Sequence, residues 1–540
     1  MRVAILDGYV DEPSCLGVPP YISPYSRYLA GAVVDAGHMF NYLTIDQLRS
    51  GKKLKGDMLI VLAGCLVPGR YLRGMPISNR EIASIGDNFE GTKVLGGPLV
   101  KFGFHQKRTE KIFDHLAGGD LDACVFDYLC SGSFSDRERS DEEWARWSVK
   151  GAEISRHHPD FPQPLVAEID VSRGCVRYFT GGCSFCIEPL FGKPYFRDIK
   201  DIAREVKELA RYGVTNFRLG GQSCFFCYRA KGIGETEKPE PNPSCVRELL
   251  KGIRKAAPNL RVLHTDNADP AVVSAHPDKS KEVLMSIAEY CTSGNVLSFG
   301  MESADPDVIE KNNLNARPDE VLKAVEIVNS VGARTGPTGL PIVLPGINLI
   351  SGLRGESKET FEYNFQFLKS VLDSGLLLRR INIRQVLQVR ARFPVKKHYR
   401  DFRLFKKKVR EEIDRPMLKR LLPKDTVLRD VYLELRKGRT TFGRQVGSYP
   451  ILVGIPYGKG LNEFIDVAVL SHGFRSVAGI EYPLDVNEAS LRALASIPGI
   501  GPKRAGRIVR ARPILTKEDF IGCLDEEEVA VRALHYVRIG

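Results

Sequence analysis

The stretch 173–186, which reads RGCVRYFTGGCSFC, holds three cysteines and decides the fold. It follows the apolar run 165–171, which predicts a buried strand, and it precedes a helix predicted to begin near Asp198. A strand, a loop and a helix open an α/β unit, and parallel α/β folds build their sites at the carboxyl ends of strands. We therefore expect this Cys-rich loop at a functional edge of a sheet.

The cysteines Cys175, Cys183 and Cys186 favour an iron–sulfur cluster. A four-iron cluster takes four ligands, so three thiolates leave one iron open, and chemistry takes place at an open metal position. A zinc site and buried free thiols are the alternatives. A structural zinc site usually has two spaced Cys pairs, and no second pair follows this loop at the distance found in zinc fingers.

Three further segments follow predicted strands in order: 216–222 (NFRLGGQ), 296–303 (VLSFGMES) and 347–357 (INLISGLRGES). Helix-length stretches at 318–331 and 358–371 flank the last of them. Together with the Cys-rich loop, this series resembles the radical SAM superfamily over about 165–393. The resemblance implies a partial (β/α) barrel.

The resemblance also implies roles for single residues. The three cysteines would bind a 4Fe-4S cluster, with Phe185 as the aromatic residue before the last of them. The residues implied for S-adenosylmethionine (SAM) are Gly220, Gly221 and Gln222 near its methionine group and Glu302 and Ser303 near its ribose. The chain departs from the family pattern twice: seven residues rather than three separate Cys175 from Cys183, and Gln222 replaces a Glu.

The chemistry implied by the resemblance is reductive cleavage of SAM to a 5′-deoxyadenosyl radical, which abstracts hydrogen from an unactivated carbon. The cofactors supply the difficult step, while the barrel orients the substrate and excludes water. A small reductant protein such as a ferredoxin or flavodoxin is the implied electron donor. No residue stands out as acid, base or radical relay. Polar residues near predicted strand ends are more often structural: Glu168, Asp170, His264, Asp266 and Asn267.

Composition fits a multidomain enzyme of the cytoplasm. The chain has 540 residues, 43% of them hydrophobic, and a net charge of +12. The start of the sequence has no basic region followed by a long apolar one, so we expect no signal peptide. The longest apolar stretch, 339–353, is broken by Pro341 and Pro345, so no membrane span is expected. Twelve cysteines without export signals favour a reducing compartment and metal chemistry.

Residues 1–150 are predicted to form a second α/β domain, with strands at 3–6, 58–62, 93–95 and 123–128 and a helix at 28–37. This order resembles the Rossmann-like domain that precedes the barrel in methylthiotransferases of the MiaB type. Those enzymes carry three cysteines there for an auxiliary cluster. Cys15 and Cys65 match two of the places, and Cys130, predicted at the end of a later strand, would substitute for the third. Ordinary loop or core thiols are the alternative.

A second cysteine group directly follows the Gly-Gly-Gln segment. Cys224 and Cys227 should lie on the rim of the site, and Cys245 follows a polar insertion. Such a Cys-x2-Cys pair favours an auxiliary iron–sulfur cluster or metal site. The alternative is a pair of buried thiols in one core with Phe225 and Phe226.

The C-terminal third is basic. Residues 396–440 contain 16 Lys or Arg and 7 Asp or Glu, and we expect a basic helical linker there. Residues 441–486, with strands at 449–455, 464–470 and 476–480, resemble the small TRAM β-barrel that contributes to RNA binding in methylthiotransferases. A domain that only braces the barrel is the alternative.

Residues 487–540 resemble a helix-hairpin-helix domain with its hairpin at 498–501. Gly499 and Gly501 would let backbone N–H groups approach a phosphate at the start of the second helix. The basic residues that follow without an acidic neighbour include Lys503, Arg504 and Arg507. Such contacts position a nucleic-acid backbone without reading its sequence, although these hairpins also bind proteins.

The sequence thus predicts an α/β protein of five parts: a Rossmann-like domain (1–150), a radical SAM barrel (160–395), a basic helical linker (396–440), a TRAM-like barrel (441–486) and a helix-hairpin-helix domain (487–540). Uncharacterised archaeal radical SAM proteins that end in this hairpin are the nearest likeness. The first functional hypothesis is modification of a base in tRNA or rRNA, with methylthiolation of tRNA as its sharpest form. The alternatives are a radical SAM enzyme acting on a protein or small molecule, and a non-catalytic iron–sulfur protein that binds nucleic acid.

Overall fold

The computed structural model describes residues 1–12, 15–65, 71–390, 393–394 and 398–540, and for Cys65 the backbone alone. None of the described helices is both long and apolar enough to cross a membrane.

The N-terminal part folds around a parallel sheet of five strands. Its elements are β1 (Arg2–Asp11), β2 (Tyr21–Ile22), α1 (Pro24–Asp35), β3 (Met39–Thr44), α2 (Ile45–Arg49), β4 (Met58–Cys65), α3 (Asn79–Asp87), β5 (Thr92–Gly96), α4 (Pro98–Lys101), β6 (His115–Leu116), α5 (Leu121–Ser131) and α6 (Asp141–Lys150). The sheet order is β3-β1-β4-β5-β6, and β1 is buried along nearly its whole length because helices cover both faces.

One expected strand in this part is wrong. Residues 123–128 belong to the helix α5, which ends at Gly132 in a left-handed C-cap (φ 76°). A six-residue apolar run does not distinguish a buried strand from the buried side of a helix. Cys130 therefore lies on the last turn of a helix, where it is exposed, and not at the end of a strand.

The central part is an arc of parallel strands with helices outside it. Its elements are β7 (Val166–Asp170), β8 (Ser172–Arg173), β9 (Tyr195–Phe196), α7 (Ile199–Arg211), β10 (Asn216–Gly220), α8 (Pro243–Ala256), β11 (Val262–His264), β12 (Asn267–Ala268), α9 (Pro270–Ala275), α10 (Pro277–Tyr290), β13 (Asn295–Glu302), α11 (Pro306–Lys311), α12 (Pro318–Gly332), β14 (Val343–Ser351), α13 (Lys358–Asp373) and β15 (Arg380–Gln385). Two sheets make the arc, β2-β7-β10-β11 and β12-β13-β14-β15. Its first strand, β2, comes from the N-terminal part and pairs with β7.

The C-terminal part begins with helices and continues as a closed barrel. Its elements are α14 (Tyr399–Val409), a π-helical turn (Arg410–Asp414), α15 (Arg415–Leu421), β16 (Val427–Lys437), β17 (Thr440–Gln445), β18 (Leu452–Ile455), β19 (Phe464–His472), β20 (Ser476–Glu481), β21 (Leu484–Asp485), α16 (Leu491–Ala495), α17 (Gly501–Arg510), α18 (Lys517–Gly522), α19 (Glu527–Leu534) and β22 (Val537–Arg538). The closed barrel has the order β16-β17-β18-β20-β19.

The predicted fold class is confirmed: the chain is mixed α/β, with a radical SAM region, a closed five-stranded barrel and a C-terminal helix-hairpin-helix. The expected basic linker is helical only as far as Leu421, and the closed barrel already begins at Val427. Register shifts between Leu428 and Val431 and between Leu433 and Leu435 break the two-residue alternation of β16. That irregularity hid the strand in the sequence.

Candidate active site

The Cys-rich loop begins at the carboxyl end of β7, the first strand of the arc after β2. The seven residues between Cys175 and Cys183 fold into a 3-10 turn, Tyr178–Thr180, followed by Gly181 (φ 82°) and Gly182 (φ 59°). A Cβ on Gly182 would lie 2.4 Å from Pro189, so only glycine fits there. The unusual spacing is thus absorbed by one compact turn.

Arg177 lies among the thiols of this loop. Its backbone N–H donates to Cys175 Sγ (3.5 Å) and its guanidinium to Cys183 Sγ (3.4 Å). Burial raises the pKa of Cys175 to about 11 and that of Cys183 to about 12, while the charge of Arg177 lowers the pKa of Cys183. Burial also raises the pKa of Cys186, and the charges of Glu188, Cys183 and Cys175 raise it further. A buried cation is what a thiolate-bound anionic cluster requires.

Three thiols in one loop are a ligand set for an iron–sulfur cluster. Among the described residues, no three His, Cys, Asp or Glu side chains are placed to hold one metal ion.

The turn that the sequence assigned to SAM leaves an oxygen without a partner. Gly221 has φ 61°, and a Cβ there would lie 2.2 Å from Asp170 Oδ1. The next residue, Gln222, is buried, and its amide N–H donates to Leu219 O (2.8 Å). Its Oε1 is buried and has no hydrogen-bond partner among the described residues. Such an acceptor fits a ligand that brings N–H donors.

Glu302 at the end of β13 has the same property. Its backbone is left-handed (φ 65°), and its Oε2 is buried without a partner in the described part of the chain. Burial raises the pKa of its carboxyl to about 8, against the opposing charge of Arg384. The Ser303 hydroxyl oxygen accepts from the backbone N–H of Asp305 (3.2 Å). Phe185 packs with Cys183 against the apolar cluster of Val308, Leu314 and Leu353.

Two residues that hold the Cys-rich loop, Asn313 and Arg390, were not expected from the sequence. Asn313 (φ 49°) donates to Thr180 O (3.2 Å) and Gly182 O (3.0 Å) and accepts from Arg177 (3.0 Å). Arg390 donates to the carbonyls of Gly181 (2.6 Å) and Cys183 (2.9 Å). Both come from segments more than a hundred residues away, so no local signal could have indicated them.

The second cysteine group is only partly assembled. Cys224 and Cys227 are buried, the first preceding and the second ending the short turn Phe225–Cys227, and a hydrogen bond that Cys227 donates to Cys224 together with burial raises the pKa of Cys227. Cys224 Sγ accepts from the backbone N–H of Asp269 (3.3 Å). Cys245 lies in the first turn of α8, and its N–H donates to Asn242. An auxiliary cluster at these residues remains a prediction.

The polar strand-end residues below the site are largely paired with one another. Arg218 binds both Glu168 and Asp266, all three buried, and Asp266 also accepts from the Tyr449 hydroxyl (3.0 Å). His264 accepts from the backbone N–H of Ser448 (2.9 Å). Asp170 accepts from Tyr28 (3.3 Å), and Asn267 donates to Gln222 O (3.2 Å).

The helix-hairpin-helix has the expected backbone but a different charge environment. Gly499 and Gly501 have φ 86° and φ 60°, and Lys503 is exposed. Arg504 donates to Gly499 O (2.6 Å) and pairs with Asp525 and Glu526, and Arg507 pairs with Asp525 (3.1 Å). The run without acidic neighbours in the sequence thus acquires two in space.

Comparison with known proteins identifies the family. A family model described as the radical SAM superfamily matches residues 169–368, which include all three loop cysteines. An uncharacterised protein of Methanocaldococcus jannaschii is 46% identical over 508 residues, covering 88% of this chain and 93% of that protein. The chain belongs to the radical SAM superfamily. Membership makes it an enzyme and implies a 4Fe-4S cluster and SAM as its cofactors.

Three more likenesses concern other parts or looser matches. A model of a SAM-like helix-hairpin-helix tandem matches 459–512, which takes in β19 and β20 as well as the hairpin. A tRNA-2-methylthio-N(6)-dimethylallyladenosine synthase of Clostridium tetani is 24% identical over 207 residues, 38% of this chain and 39% of that protein. The radical SAM methyltransferase TsrM of Kitasatospora setae has 13% identity and a TM-score of 0.48, covering 72% of this chain and 74% of its own.

Proposed function

We propose that this radical SAM enzyme modifies a base of RNA. Cys175, Cys183 and Cys186 would hold the 4Fe-4S cluster, and the residues that would hold SAM are Gly220, Gly221, Gln222, Glu302 and Ser303, with Phe185 on the apolar side. The observation that carries the proposal is a pair of buried oxygens, on Gln222 and Glu302, that have no hydrogen-bond partner in the described part of the chain and lie at the same end of the arc as the thiols. When bound and reduced, the cluster supplies the electron for cleavage of SAM, from a small donor such as a ferredoxin or flavodoxin.

The residues of the chain perform the remaining tasks. Arg177 places a positive charge against the thiolates, and Asn313 and Arg390 fix the loop that carries them. The Gln222 amide oxygen would accept from the ammonium group of SAM, and the Glu302 carboxyl would accept from its ribose hydroxyls. The packed cluster of Phe185, Val308 and Leu353 keeps water away from this face.

Support for RNA as the substrate comes from the C-terminal part. A helix-hairpin-helix model matches there, and a distant relative is named as a tRNA-modifying enzyme. The chain carries a net charge of +12, and residues 396–440, with 16 Lys or Arg and 7 Asp or Glu, contribute +9 of it. A polyanion is the partner that such a distribution favours.

Methylthiolation of tRNA is the sharpest version of this proposal. It requires a sulfur source, which an auxiliary cluster would provide. Cys15 is buried at the proposed N-terminal place, but Cys130 is on the surface of α5, and Cys65 has no described side chain. Cys227, whose pKa is raised further by the charge of Cys175, and its neighbour Cys224 are the better candidates for an auxiliary site.

One observation favours a protein or small molecule as the substrate instead. The ion pairs of Arg504 and Arg507 with Asp525 and Glu526 reduce the positive charge that the hairpin offers to a phosphate. A hairpin used for protein contacts would need no such charge.

The deciding experiment is anaerobic reconstitution with iron and sulfide, followed by reduction with dithionite in the presence of SAM. We expect 5′-deoxyadenosine from the wild type and none from a Cys175→Ala, Cys183→Ala, Cys186→Ala triple variant, which should also lose about four iron atoms per chain. Iron above that number would indicate an auxiliary cluster. No cleavage by a fully loaded, reducible wild type would refute the enzyme as proposed. Base analysis of RNA incubated with the active enzyme then identifies the product.

A further inference from the structure

A cleft of about 920 Å³ opens beside β15, the last strand of the arc. One wall is β15 itself, and the others are the segment before β2, one face of α14 and two loops of the closed barrel. An arc of strands that does not close leaves its interior reachable from the side. The cleft lies at that side opening, between the two ends of the arc, β2 and β15.

The described lining of this cleft is strongly basic. It contains two acidic side chains, Asp11 and Glu411, and eight basic ones: Arg380, Arg384, Arg403, Lys406, Lys407, Arg410, Arg444 and Arg475. Of these, Arg444 is paired with Glu434 (2.8 Å) and Lys407 lies 3.9 Å from Glu411. The excess of positive charge fits a polyanion.

The helix α14 is built to present this charge. Phe405 and Val409 are buried, and the Phe405 ring packs against Phe361 with centroids 5.5 Å apart. The residues that line the cleft recur at helical spacing on another face: Phe402, Arg403, Lys406, Lys407, Arg410 and Glu411. The apolar face thus fixes the helix to α13, and its basic face borders the cleft.

The inner end of the cleft holds a group of like charges. Arg380 stacks on the Tyr449 ring (4.3 Å), and its Nε is buried without a hydrogen-bond partner among the described residues. Burial lowers the pKa of Arg380 to about 10, and the charges of Arg475 and Arg384 lower it as well. Arg384 follows Ile383 on β15, and both Ile383 and Glu302 pair with Leu349 of β14. This wall of the cleft therefore lies level with Glu302 of the proposed SAM site.

The rim of the cleft carries an exposed ring beside an exposed cation. Phe474, in the turn between β19 and β20, is 43% exposed, and Arg475 follows it on the same turn. Further aromatic rings lie along the walls: Tyr21, Tyr71, Phe402 and Tyr449. Basic grooves with interleaved aromatic rings bind single strands, because the bases stack on the rings while the phosphates meet the cations.

We propose that this cleft binds a single-stranded segment of RNA, with phosphates at Arg403, Lys407 and Arg475 and a base on Phe474, and guides it to the SAM side of the arc. The inference rests on the proposed function, since an enzyme that acts on a base must first take that base out of a stack.

The test measures binding of a fluorescein-labelled 12-nucleotide oligouridine by fluorescence anisotropy, using the full chain loaded with its cluster. We expect Arg403→Glu/Lys407→Glu to weaken binding at least tenfold and to reduce the slope of log K against log salt by about 1.4, for two lost phosphate contacts. Phe474→Ala should weaken binding about tenfold, since stacking on a ring contributes about 1–3 kcal/mol per base.

Two control variants match these changes. Lys52→Glu/Lys53→Glu makes the same charge change at exposed residues that do not line the cleft, and Leu461→Ala truncates a side chain that is also 43% exposed on the closed barrel. Both should bind oligouridine like the wild type. Equal losses in test and control variants would overturn the proposal, as would unchanged binding by the test variants. Equal competition by polyglutamate would overturn it in favour of an acidic protein partner.

SAM cleavage by the same wild-type preparation separates this inference from the proposed function. Cleavage of SAM without oligouridine binding would refute RNA binding in the cleft and leave the proposed radical SAM chemistry intact. Oligouridine binding through the cleft without cleavage of SAM would support the cleft as an RNA site and refute the proposed enzymatic activity.

Discussion

Gln222 and Glu302 are the two residues of the proposed SAM site whose side chains have an unsatisfied oxygen in the described part of the chain. Each of these oxygens is buried. A buried polar atom without a partner costs about 1–3 kcal/mol in stability. Glu302 adds a left-handed backbone, a conformation that non-glycine residues rarely adopt. A bound ligand that donates hydrogen bonds to the two oxygens would offset the cost of burying them.

The titration of Glu302 gives a prediction for the SAM-free protein. Burial raises the pKa of its carboxyl from the ordinary 4.5 to about 8, so the folded state holds the proton more tightly than the unfolded state. The stability associated with that proton is therefore complete at low pH and is lost as the pH rises through 8. Glu302→Gln should remove this part of the pH dependence. In the wild type it amounts to a difference of more than about 1 kcal/mol in the free energy of unfolding between pH 4.5 and pH 8.

Urea unfolding at several pH values measures this difference, with exposed Glu310→Gln as the control. A Glu302→Gln variant that keeps the full pH dependence of the wild type would show that Glu302 does not hold the proton.

At the scale of elements, the Cys-rich loop depends on the turn that follows α11. Asn313 in that turn accepts from Arg177 and donates to two carbonyls of the loop. Its left-handed backbone is one that Asn tolerates better than most residues. The loop is thus held by a turn far away in the sequence, which orients the thiols before any cluster binds.

Asn313→Ala should therefore weaken retention of the cluster. Loss of these hydrogen bonds, worth about 0.5–1.5 kcal/mol each, should speed iron loss to a chelator about tenfold. Asn313→Gly keeps the backbone conformation and loses only the side chain, so it should show a similar rate. Fast iron loss in the Ala variant alone would mean that backbone strain, and not the amide, is responsible.

The sequence predicted elements well where the chain signals them locally. Asp198 caps α7 as expected, and the cysteine and glycine positions indicated the loop and its turn. The sequence-based prediction failed where tertiary contacts determine the secondary structure. The run 123–128 is helical because it packs as α5 against α1, and bulges interrupt the alternating pattern of β16. The contacts of Asn313 and Arg390 with the loop are long-range, and such contacts leave no periodic pattern in a sequence.

At the scale of the whole molecule, the charge of the hairpin is set by residues that follow it in the chain. Asp525→Asn/Glu526→Gln would release Arg504 and Arg507 from their ion pairs. If the hairpin grips RNA, the variant should bind more tightly, with a salt slope steeper by about 1.4 for two regained phosphate contacts on a single strand. Stability should change by less than about 1 kcal/mol, because exposed ion pairs contribute little.

Anisotropy titrations of single-stranded RNA at several salt concentrations check this expectation. Wild-type affinity and slope in the variant would instead favour a hairpin that binds protein. Lys503→Glu is the matched change of opposite sign, since Lys503 is exposed and lies on the same helix.

The two-residue strand β2 joins three parts of the chain. It starts in the N-terminal part, pairs with β7 of the arc, and its Tyr21 hydroxyl donates to Gly447 O beside the closed barrel (2.9 Å). Arg73 makes a second such link by pairing with both Asp160 and Glu434. The N-terminal part therefore cannot be exchanged between relatives as an independent domain. A chimaera with a foreign N-terminal part would keep its central arc intact only if that part supplied a matching edge strand.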